Sequence, residues 1–192
     1  NLLMLITVIM AVGRIAMAVE DLDIYESTTI NEGEYAHISV YDTPPVISIV
    51  DINYASFARV NSYDSSFVNI NDGIGESIVS YNSSCINVFG GEMTFHFLGA
   101  NDFSTINIYG GILYVLNSPM ISDTANVNIY CYDFNYDSVY GVLTGTLSGG
   151  NVFVFEELLA SDYERLNLIP EPLAISFIGL GYIIILRRKR IL

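Results

Sequence analysis

"SYDSSFVNINDG" (residues 62–73) and "SYNSSCINVFGG" (residues 80–91) are two versions of one sequence unit, offset by eighteen residues. Both begin with Ser-Tyr-x-Ser-Ser, continue with an asparagine between two aliphatic residues, and end in glycine. Related segments follow as "NDFSTINIYGG" (residues 101–111) and "SDTANVNIYCYD" (residues 122–133). A unit that recurs at intervals of 18, 20 and 21 residues indicates a repeat architecture.

The centre of each unit has the alternation of a β-strand with one buried face. Four asparagines occupy this centre, each between two aliphatic residues: Asn69, Asn87, Asn107 and Asn128. A glycine turn follows, and then a second alternating run such as residues 112–116. About twenty residues with two or three short strands match one coil of a β-solenoid, which buries its aliphatic side chains only against its neighbours.

We therefore predict an all-β fold, a short right-handed parallel β-solenoid with coils of about 18–21 residues over a body of residues 19–168. The clear repeats span residues 62–133. The alternative is an antiparallel β-sandwich, which also uses short strands but needs no repeated coil.

Parallel stacking places like residues above like at about 4.8 Å, so the asparagines are predicted to form a ladder. They lie either on the outside of the strands or in a turn where they bond along the stack, and the sequence leaves both open. The tyrosines at 63, 81, 109 and 130 recur in the same way. They are either a ladder for stacking sugar rings or ordinary strand residues.

The same register makes a prediction about the two cysteines. Cys85 aligns with Phe67, Thr105 and Asn126, whereas Cys131 aligns with Gly90. The cysteines then lie two coils apart, roughly 10 Å, beyond the limit of about 7 Å between the Cα atoms of a disulfide. We predict that they do not pair, whereas a sandwich would permit a bridge.

The two ends of the body depart from the repeat. Residues 134–168 include "YGVLTGTLSGGNVFVF", which predicts two strands around Ser148-Gly149-Gly150, and then a mixture of helical and strand signals. This region is predicted to cap one end of the stack, because an uncovered edge invites pairing between chains. Residues 19–45 are predicted to form the opposite cap or the first coil.

The charge excludes several classes of partner. The chain carries a net charge of −14 at pH 7. Residues 19–168 contain every acidic residue except Glu171 and only two basic residues, Arg59 and Arg165. Such a surface repels nucleic acid and anionic lipid.

Catalytic chemistry has little support. Polysaccharide lyases and glycosidases use parallel β-solenoids. The active site of such a lyase contains a calcium–carboxylate cluster beside a basic residue. Neither Arg59 nor Arg165 lies beside an acidic pair in the repeat. A glycosidase needs two carboxylates about 5–10 Å apart. The candidates Asp64, Asp72, Asp102 and Asp123 all lie in turns rich in Ser, Asn or Gly, where bonding to the local backbone is the expected role.

Metal and thiol chemistry are equally weak. His37 and His96 are isolated in alternating strands, and Cys85 has no neighbouring histidine. We therefore predict no catalytic residue, no metal site and no cofactor. Calcium binding by the acidic turns is the alternative, although these turns lack the nine-residue Gly-Asp pattern of calcium-binding solenoids.

The first eighteen residues predict a signal peptide that is incomplete at its start. An apolar run from Leu2 to Val12 is followed by Ala16-Met17-Ala18, the small-x-small pattern that signal peptidase cleaves. Ala16 and Ala18 are the predicted recognition residues. A buried N-terminal helix is the alternative.

The last twenty-four residues, 169–192, combine three features. Pro170-Glu171-Pro172 precede a predicted transmembrane helix over residues 173–186, and a basic tail follows at Arg187, Arg188, Lys189 and Arg190. Fourteen helical residues span about 21 Å, short of the hydrocarbon core of about 30 Å, so the segment suits a transient stop-transfer signal better than a permanent anchor. The basic tail would keep the C-terminus on the cytoplasmic side.

In order and spacing, this tail resembles the PEP-CTERM sorting signal. The resemblance implies recognition by exosortase, a membrane-embedded cysteine transpeptidase of bacteria that make exopolysaccharide. It covers the tail alone and is consistent with a signal peptide at the other end. An ordinary single-pass anchor with accidental prolines is the alternative.

Together these features predict a protein exported across the inner membrane of a Gram-negative-type bacterium to the cell envelope, surface or matrix. The expected partners are signal peptidase, exosortase, the membrane in transit and exopolysaccharide of a biofilm, without nucleic acid. Two alternatives are a carbohydrate-active enzyme, either lyase or glycosidase, and a simple anchored surface protein.

Overall fold

The computed structural model of the protein describes residues 20–122 and 124–170. They form sixteen strands and one short helix. The elements are β1 Glu20–Ile24, β2 Thr28–Ile30, β3 Glu34–Val40, β4 Ile49–Ile52, β5 Ala55–Ser62, β6 Phe67–Ile70, β7 Gly73–Ser80, β8 Cys85–Val88, β9 Glu92–Ala100, β10 Thr105–Ile108, β11 Ile112–Val115, β12 Met120–Ile121, β13 Asn126–Asp137, β14 Val142–Leu147, β15 Val152–Phe155, α1 Ala160–Tyr163 and β16 Leu166–Pro170.

The strands alternate between two parallel faces. The first face contains β1, β3, β5, β7, β9 and β11, and the second contains β2, β4, β6, β8, β10 and β13. One first-face strand and the second-face strand that follows it make one coil, and about five turns stack in this way. The predicted parallel solenoid is confirmed at this level, in place of the antiparallel sandwich.

The register of the second face is the one that the repeat predicts. Val68 lies beside Ile86, Ile86 beside Ile106, and Ile106 beside Val127. Cys85 lies between Phe67 and Thr105, as predicted. The interval changes from 18 to 20 residues without shifting this register because the extra residues fall within the first face, where the pairing of β7 with β9 shifts between Gly75 and Ser77.

The core lies between the faces. On the second face each coil from β4 to β13 buries two aliphatic side chains with at most 1% exposure, such as Ile86 and Val88, whereas β2 buries Ile30 alone. The first face contributes larger groups, among them Phe57, Met93 and Phe95. Burial of each such side chain contributes on the order of 1.5–3 kcal/mol, and because a coil exposes its inner residues when alone, only the stack obtains that energy.

Two kinds of turn join the faces. The serine corner leads from the first face to the second at residues 62–66, 80–84 and 100–104. The glycine corner leads back to the first face of the next coil at residues 71–73, 89–91 and 109–111.

A hairpin closes the C-terminal end of the stack. Strand β13 continues past the second face and pairs antiparallel with β14, which pairs antiparallel with β15. Strand β15 then lies parallel to β11 of the first face, so both faces join into one sheet. The predicted hairpin around residues 148–150 is confirmed, with Gly150 at φ 85°.

The mixed signals after the hairpin become α1 and β16. Strand β16 pairs with the beginning of β13 and reaches Pro170, two residues past the predicted body boundary at residue 168. At the other end, β1 and β2 form the first coil.

Several predicted segments lie outside the described residues: the signal peptide over residues 1–18, the transmembrane helix over residues 173–186, the basic tail at residues 187–190, and Glu171, Pro172 and Asp123. Within residues 20–122 and 124–170, no helix is long and apolar enough to cross a bilayer.

Candidate functional site

The asparagines at the centre of the repeat form one continuous hydrogen-bonded ladder on the outer surface of the second face. The amide nitrogen of Asn87 donates to the side-chain oxygen of Asn69 at 2.9 Å, and Asn107 donates to Asn87 at the same distance. Asn128 extends the ladder with a 2.8 Å bond to Asn107. The amides therefore lie outside, in the strands, and also bond along the stack.

This ladder is longer than the repeat suggests. Asn69 donates to Asp51 at 2.9 Å, and Asn167 of β16 donates to Asn128 at 3.0 Å. The two end residues stand in "IVDI" (49–52) and "LNLI" (166–169), where the aliphatic–polar–aliphatic pattern recurs without the rest of the unit. Because each interior amide both donates and accepts within the ladder, much of its hydrogen-bonding capacity serves coil-to-coil contacts.

A second polar array, which the sequence interpretation missed, lies inside the serine corner. The buried hydroxyl of Ser84 donates to the backbone oxygen of Ser62 at 2.8 Å and lies 2.7 Å from the hydroxyl of Ser80. Ser104 repeats the contact one coil later, to the oxygen of Ser80 at 2.9 Å. The recurring Ser-Tyr-x-Ser-Ser was the available signal, because a hydroxyl repeated in a buried corner must find partners.

Aromatic rings form a ladder beside the serine corner. Tyr41 stacks on Tyr25, Tyr63 on Tyr41, and Tyr81 on Tyr63, with centroids 5.2, 4.7 and 4.9 Å apart. The planes of Tyr63 and Tyr81 differ by only 3°. These centroid spacings equal the distance between coils, so the ring planes lie roughly perpendicular to the axis of the stack.

The glycine corner carries a ladder that changes type along its length. Asn53 donates to Asn31 at 2.7 Å, and Asn71 donates to Asn53 at 3.0 Å. From the next coil on, rings replace the amides, with Phe89, Tyr109 and Tyr130 stacked at 5.0 and 4.3 Å. The four predicted tyrosines thus belong to two separate ladders.

The orientation of these rings limits the sugar-stacking interpretation. A sugar stacks on an aromatic face, and the faces between coils are covered by neighbouring rings. Only the terminal rings have an outward face, and Tyr25 is 53% exposed. Burial, with a smaller contribution from the hydrogen bond to Tyr130, raises the pKa of Tyr109 to about 12, and burial also raises the pKa of Tyr63.

The predicted carboxylate candidates serve the turns. Asp64 and Asp102 hold the left-handed position of the serine corner at φ 59° and 57°, and Asn82 holds it between them at 56°. The carboxylate of Asp102 accepts the backbone N–H of Asn82 at 3.1 Å, and the carboxylate of Asp72 accepts the N–H of Gly73 at 2.8 Å. Asp72 thus has the expected local role, whereas Asp102 bonds to the backbone of the preceding coil. The contacts of Asp64, Asp72 and Asp102 bring no two of these three carboxylates together across a cleft.

One shallow depression on the first face does carry two carboxylates. Glu34 of β3 and Glu76 of β7 are both exposed at its edge, with Ser56 and Ala58 of β5 between them. Its volume is about 220 Å³, smaller than the usual ligand pocket of about 300–1,000 Å³. Sequence reasoning missed this pair because the residues are forty-two positions apart and lie outside the repeated turn.

The histidines and cysteines are dispersed. His37 Nδ1 lies 2.7 Å from the carboxylate of Asp21, while His96 is exposed on β9. Cys85 and Cys131 form no disulfide, as predicted. Within the described residues, no three His, Cys, Asp or Glu side chains are placed to hold a metal ion.

Cys85 is half-buried on the outer face, where the amide of Asn107 lies 3.5 Å from its sulfur. Burial raises the pKa of the Cys85 thiol. A raised pKa keeps the sulfur protonated and makes it a poor nucleophile.

Comparison with protein-family models, with curated proteins and with solved structures finds no match to this chain.

Proposed function

We propose that this chain is the precursor of an exported, non-enzymatic structural protein of the bacterial cell surface or exopolysaccharide matrix. The observation that supports this most is the continuous ladder from Asp51 to Asn167. The side chains that recur most regularly are used to hold coil to coil. Such a body is a stiff acidic rod, and a right-handed coil is the expectation for parallel strands joined in one sheet.

The position of the tail supports export and sorting. Strand β16 reaches Pro170, which is also the first residue of the tripeptide of residues 170–172. Removal of the chain beyond this tripeptide would leave all sixteen strands with the body. A signal peptide of residues 1–18 would direct export, and an exosortase would then recognise residues 169–192.

Association with polysaccharide would involve many weak contacts. The outer second face presents amides from β6 to the beginning of β13 and the hydroxyl of Thr105, and its carboxylates lie at Asp51, in the turns and in the later part of β13. The high negative charge disfavours nucleic acid. Matrix glycan therefore remains the proposed partner class.

The experiment that tests this proposal measures the intact mass and location of the protein in a host that carries the sorting enzyme. Processing at both ends and delivery to the surface are expected for the natural chain. Replacing Glu171 and Pro172 by alanine should abolish C-terminal processing while leaving β16 intact. Glu156→Ala, in an exposed residue of the cap region, is the control and should be processed normally.

A simple anchored surface protein gives a different result. Its C-terminal residues would remain in both the natural chain and the variant, and both would stay in the membrane fraction. That result would contradict the sorting proposal.

A glycosidase is the second candidate, and the pair Glu34 and Glu76 is the observation that favours it. The β-strand spacing puts β3 and β7 about 10 Å apart, and the register places Glu34 level with Ile74, two residues before Glu76. The two carboxylates reach the separation of about 6.5–9.5 Å of inverting enzymes only if their side chains turn toward each other. Release of reducing sugar from host exopolysaccharide, lost in Glu34→Gln and in Glu76→Gln, would establish this function. Equal, background-level release from the natural chain and both variants is the result that a structural protein predicts.

A further inference from the structure

Among the described residues, the N-terminal end of the stack has no covering strand. Strand β1 pairs with β3 and β2 pairs with β4, and within the described residues nothing pairs with the outer edge of either strand. At the C-terminal end the hairpin of β14 and β15 joins the two faces, and β16, which pairs only with β13 among the described residues, is the strand left at the edge. An open edge presents unpaired backbone N–H and C=O groups that can pair with another chain.

Two side-chain ladders also end at this surface. The ring of Tyr25 stacks on Tyr41 on one side and is 53% exposed. The side-chain oxygen of Asn31 accepts a bond from Asn53, and Asn31 is the last described amide of that ladder. An added layer that continued the stack would therefore place an aromatic ring over Tyr25 and an acceptor over Asn31.

The need for an aromatic ring over Tyr25 and an acceptor over Asn31 indicates which chain can add the next layer. Residues 1–19 contain no aromatic residue, so they have no ring to place over Tyr25. A second copy of the chain brings both groups in the correct places. A two-fold axis from the serine corner to the glycine corner sets β1 of each copy antiparallel to β2 of the other and brings the two Tyr25 rings together.

Charge opposes this contact. Glu20, Asp21, Asp23 and Glu26 are all exposed at the same end, and His37 is the neighbouring basic group, at 2.7 Å from Asp21. The pairing of two copies brings eight of these carboxylates to one interface, four from each chain. Charged side chains on an edge strand are a common protection against association.

We propose that the N-terminal end of the stack is a self-association surface for a second copy of this chain, and that the carboxylates of residues 20–26 keep the pairing weak at low ionic strength. The proposal depends on the open edge and not on the sorting tail. Salt shortens the range of the repulsion from about 10 Å at 0.1 M to about 3 Å at 1 M, so association should increase with salt.

The test is sedimentation velocity of the full chain in detergent at about 0.1 M and about 1 M salt. The natural chain should change from monomer toward dimer as salt rises. Asp21→Asn with Asp23→Asn should tighten dimerisation about tenfold at low salt, because like charges that face each other weaken association. Adding Tyr25→Ser to that double variant should weaken it again by removing the ring contact.

A matched control carries the same change in charge elsewhere. Glu156→Gln with Glu164→Gln alters two exposed residues near the closed end and should behave like the natural chain. The apolar tail is present in every variant, so association through it would not differ among them. Hydrogen exchange should slow within residues 20–30 on association and stay unchanged within residues 166–170.

Three results would overturn the proposal: a monomer under all conditions, equal dimerisation of the control and the Asp21/Asp23 variant, or protection of residues 166–170 in place of residues 20–30. The first would mean that the edge does not pair with a second copy. The second would mean that total charge governs association, and the third that the other end does.

Discussion

The serine corner and the glycine corner both reverse the chain through a left-handed residue, yet they use different amino acids. The serine corner uses Asp64, Asn82 and Asp102 at φ 56–59°. At the glycine corner the corresponding residues include Gly91 and Gly111, at φ 92° and 90°. Asn and Asp tolerate this conformation better than other residues with a side chain, and glycine adopts it freely.

The distance to the neighbouring coil explains the difference. A Cβ atom on Gly91 would lie 2.6 Å from the backbone oxygen of Gly73, closer than real Cβ atoms approach. At the serine corner there is room for a side chain, and the Asn82 oxygen accepts the backbone N–H of Asp64 in the preceding coil at 3.2 Å. One corner therefore packs backbone on backbone, and the other bridges coils with side chains.

Gly91→Ala gives the largest effect and tests the close approach at the glycine corner. It adds both left-handed strain and a backbone clash, and we expect it to lower the free energy of unfolding by at least about 3 kcal/mol. Gly150→Ala is the control, because Gly150 has φ 85° and no atom within 4 Å of its added Cβ. This control should cost only about 1–2 kcal/mol. Urea unfolding followed by circular dichroism measures both, and equal losses would show that the coils do not approach closely.

Ser84→Ala and Ser48→Ala test the bridges of the serine corner. Ser84 accepts the N–H of Tyr81 and contacts Ser62 and Ser80, so its loss should cost about 1–3 kcal/mol. The Ser48 hydroxyl is buried and makes no hydrogen bond to any described residue. Ser48→Ala should therefore leave stability unchanged or raise it. Similar losses in both variants, measured by the same unfolding, would mean that the hydroxyl bonds do not hold the coils together.

Tyr109→Phe gives a smaller effect, visible only in alkali. The pKa of Tyr109 is raised to about 12 by burial, above about 10 for a free tyrosine. Between these values the folded state holds a proton that the unfolded state has lost, so its stability falls as pH rises from about 10 to about 12. Tyr109→Phe should lose less stability over this window than the natural chain. An identical pH dependence of the unfolding midpoint in both proteins would mean that Tyr109 titrates normally.

The repeat was enough to predict the coil and its register. A fixed interval between Val-Asn-Ile segments specifies which residues stack, and the position of Cys85 between Phe67 and Thr105 followed from it. The sequence could not decide whether the asparagines lie on the outside of the strands or bond along the stack in a turn, because both arrangements follow from the same spacing. In the structure each asparagine lies on the outside of a strand and also bonds along the stack.

Features that depend on contacts outside the repeat were not predictable. The pairing of β11 with β15 joins residues forty apart in a region without the repeat, and only the hairpin itself has a local signal. Phe89 occupies the position in its coil that Asn71 occupies in the preceding coil, and this change from an amide to a ring in the glycine-corner ladder can be recognised only when the register is known. Glu34 and Glu76 come together for the same reason, through two intervening strand pairings.

The stacked register is tested most directly with the native thiol of Cys85. Thr105→Cys places a second thiol in the adjacent coil at about 4.8 Å between Cα atoms, within the range of a disulfide. Asn126→Cys places it one coil further away, at about 10 Å, and serves as the control. After mild oxidation, peptide mass mapping should find the 85–105 bridge in the first variant and no 85–126 bridge in the second. A bridge in the control, or none in Thr105→Cys, would contradict the parallel stack of coils.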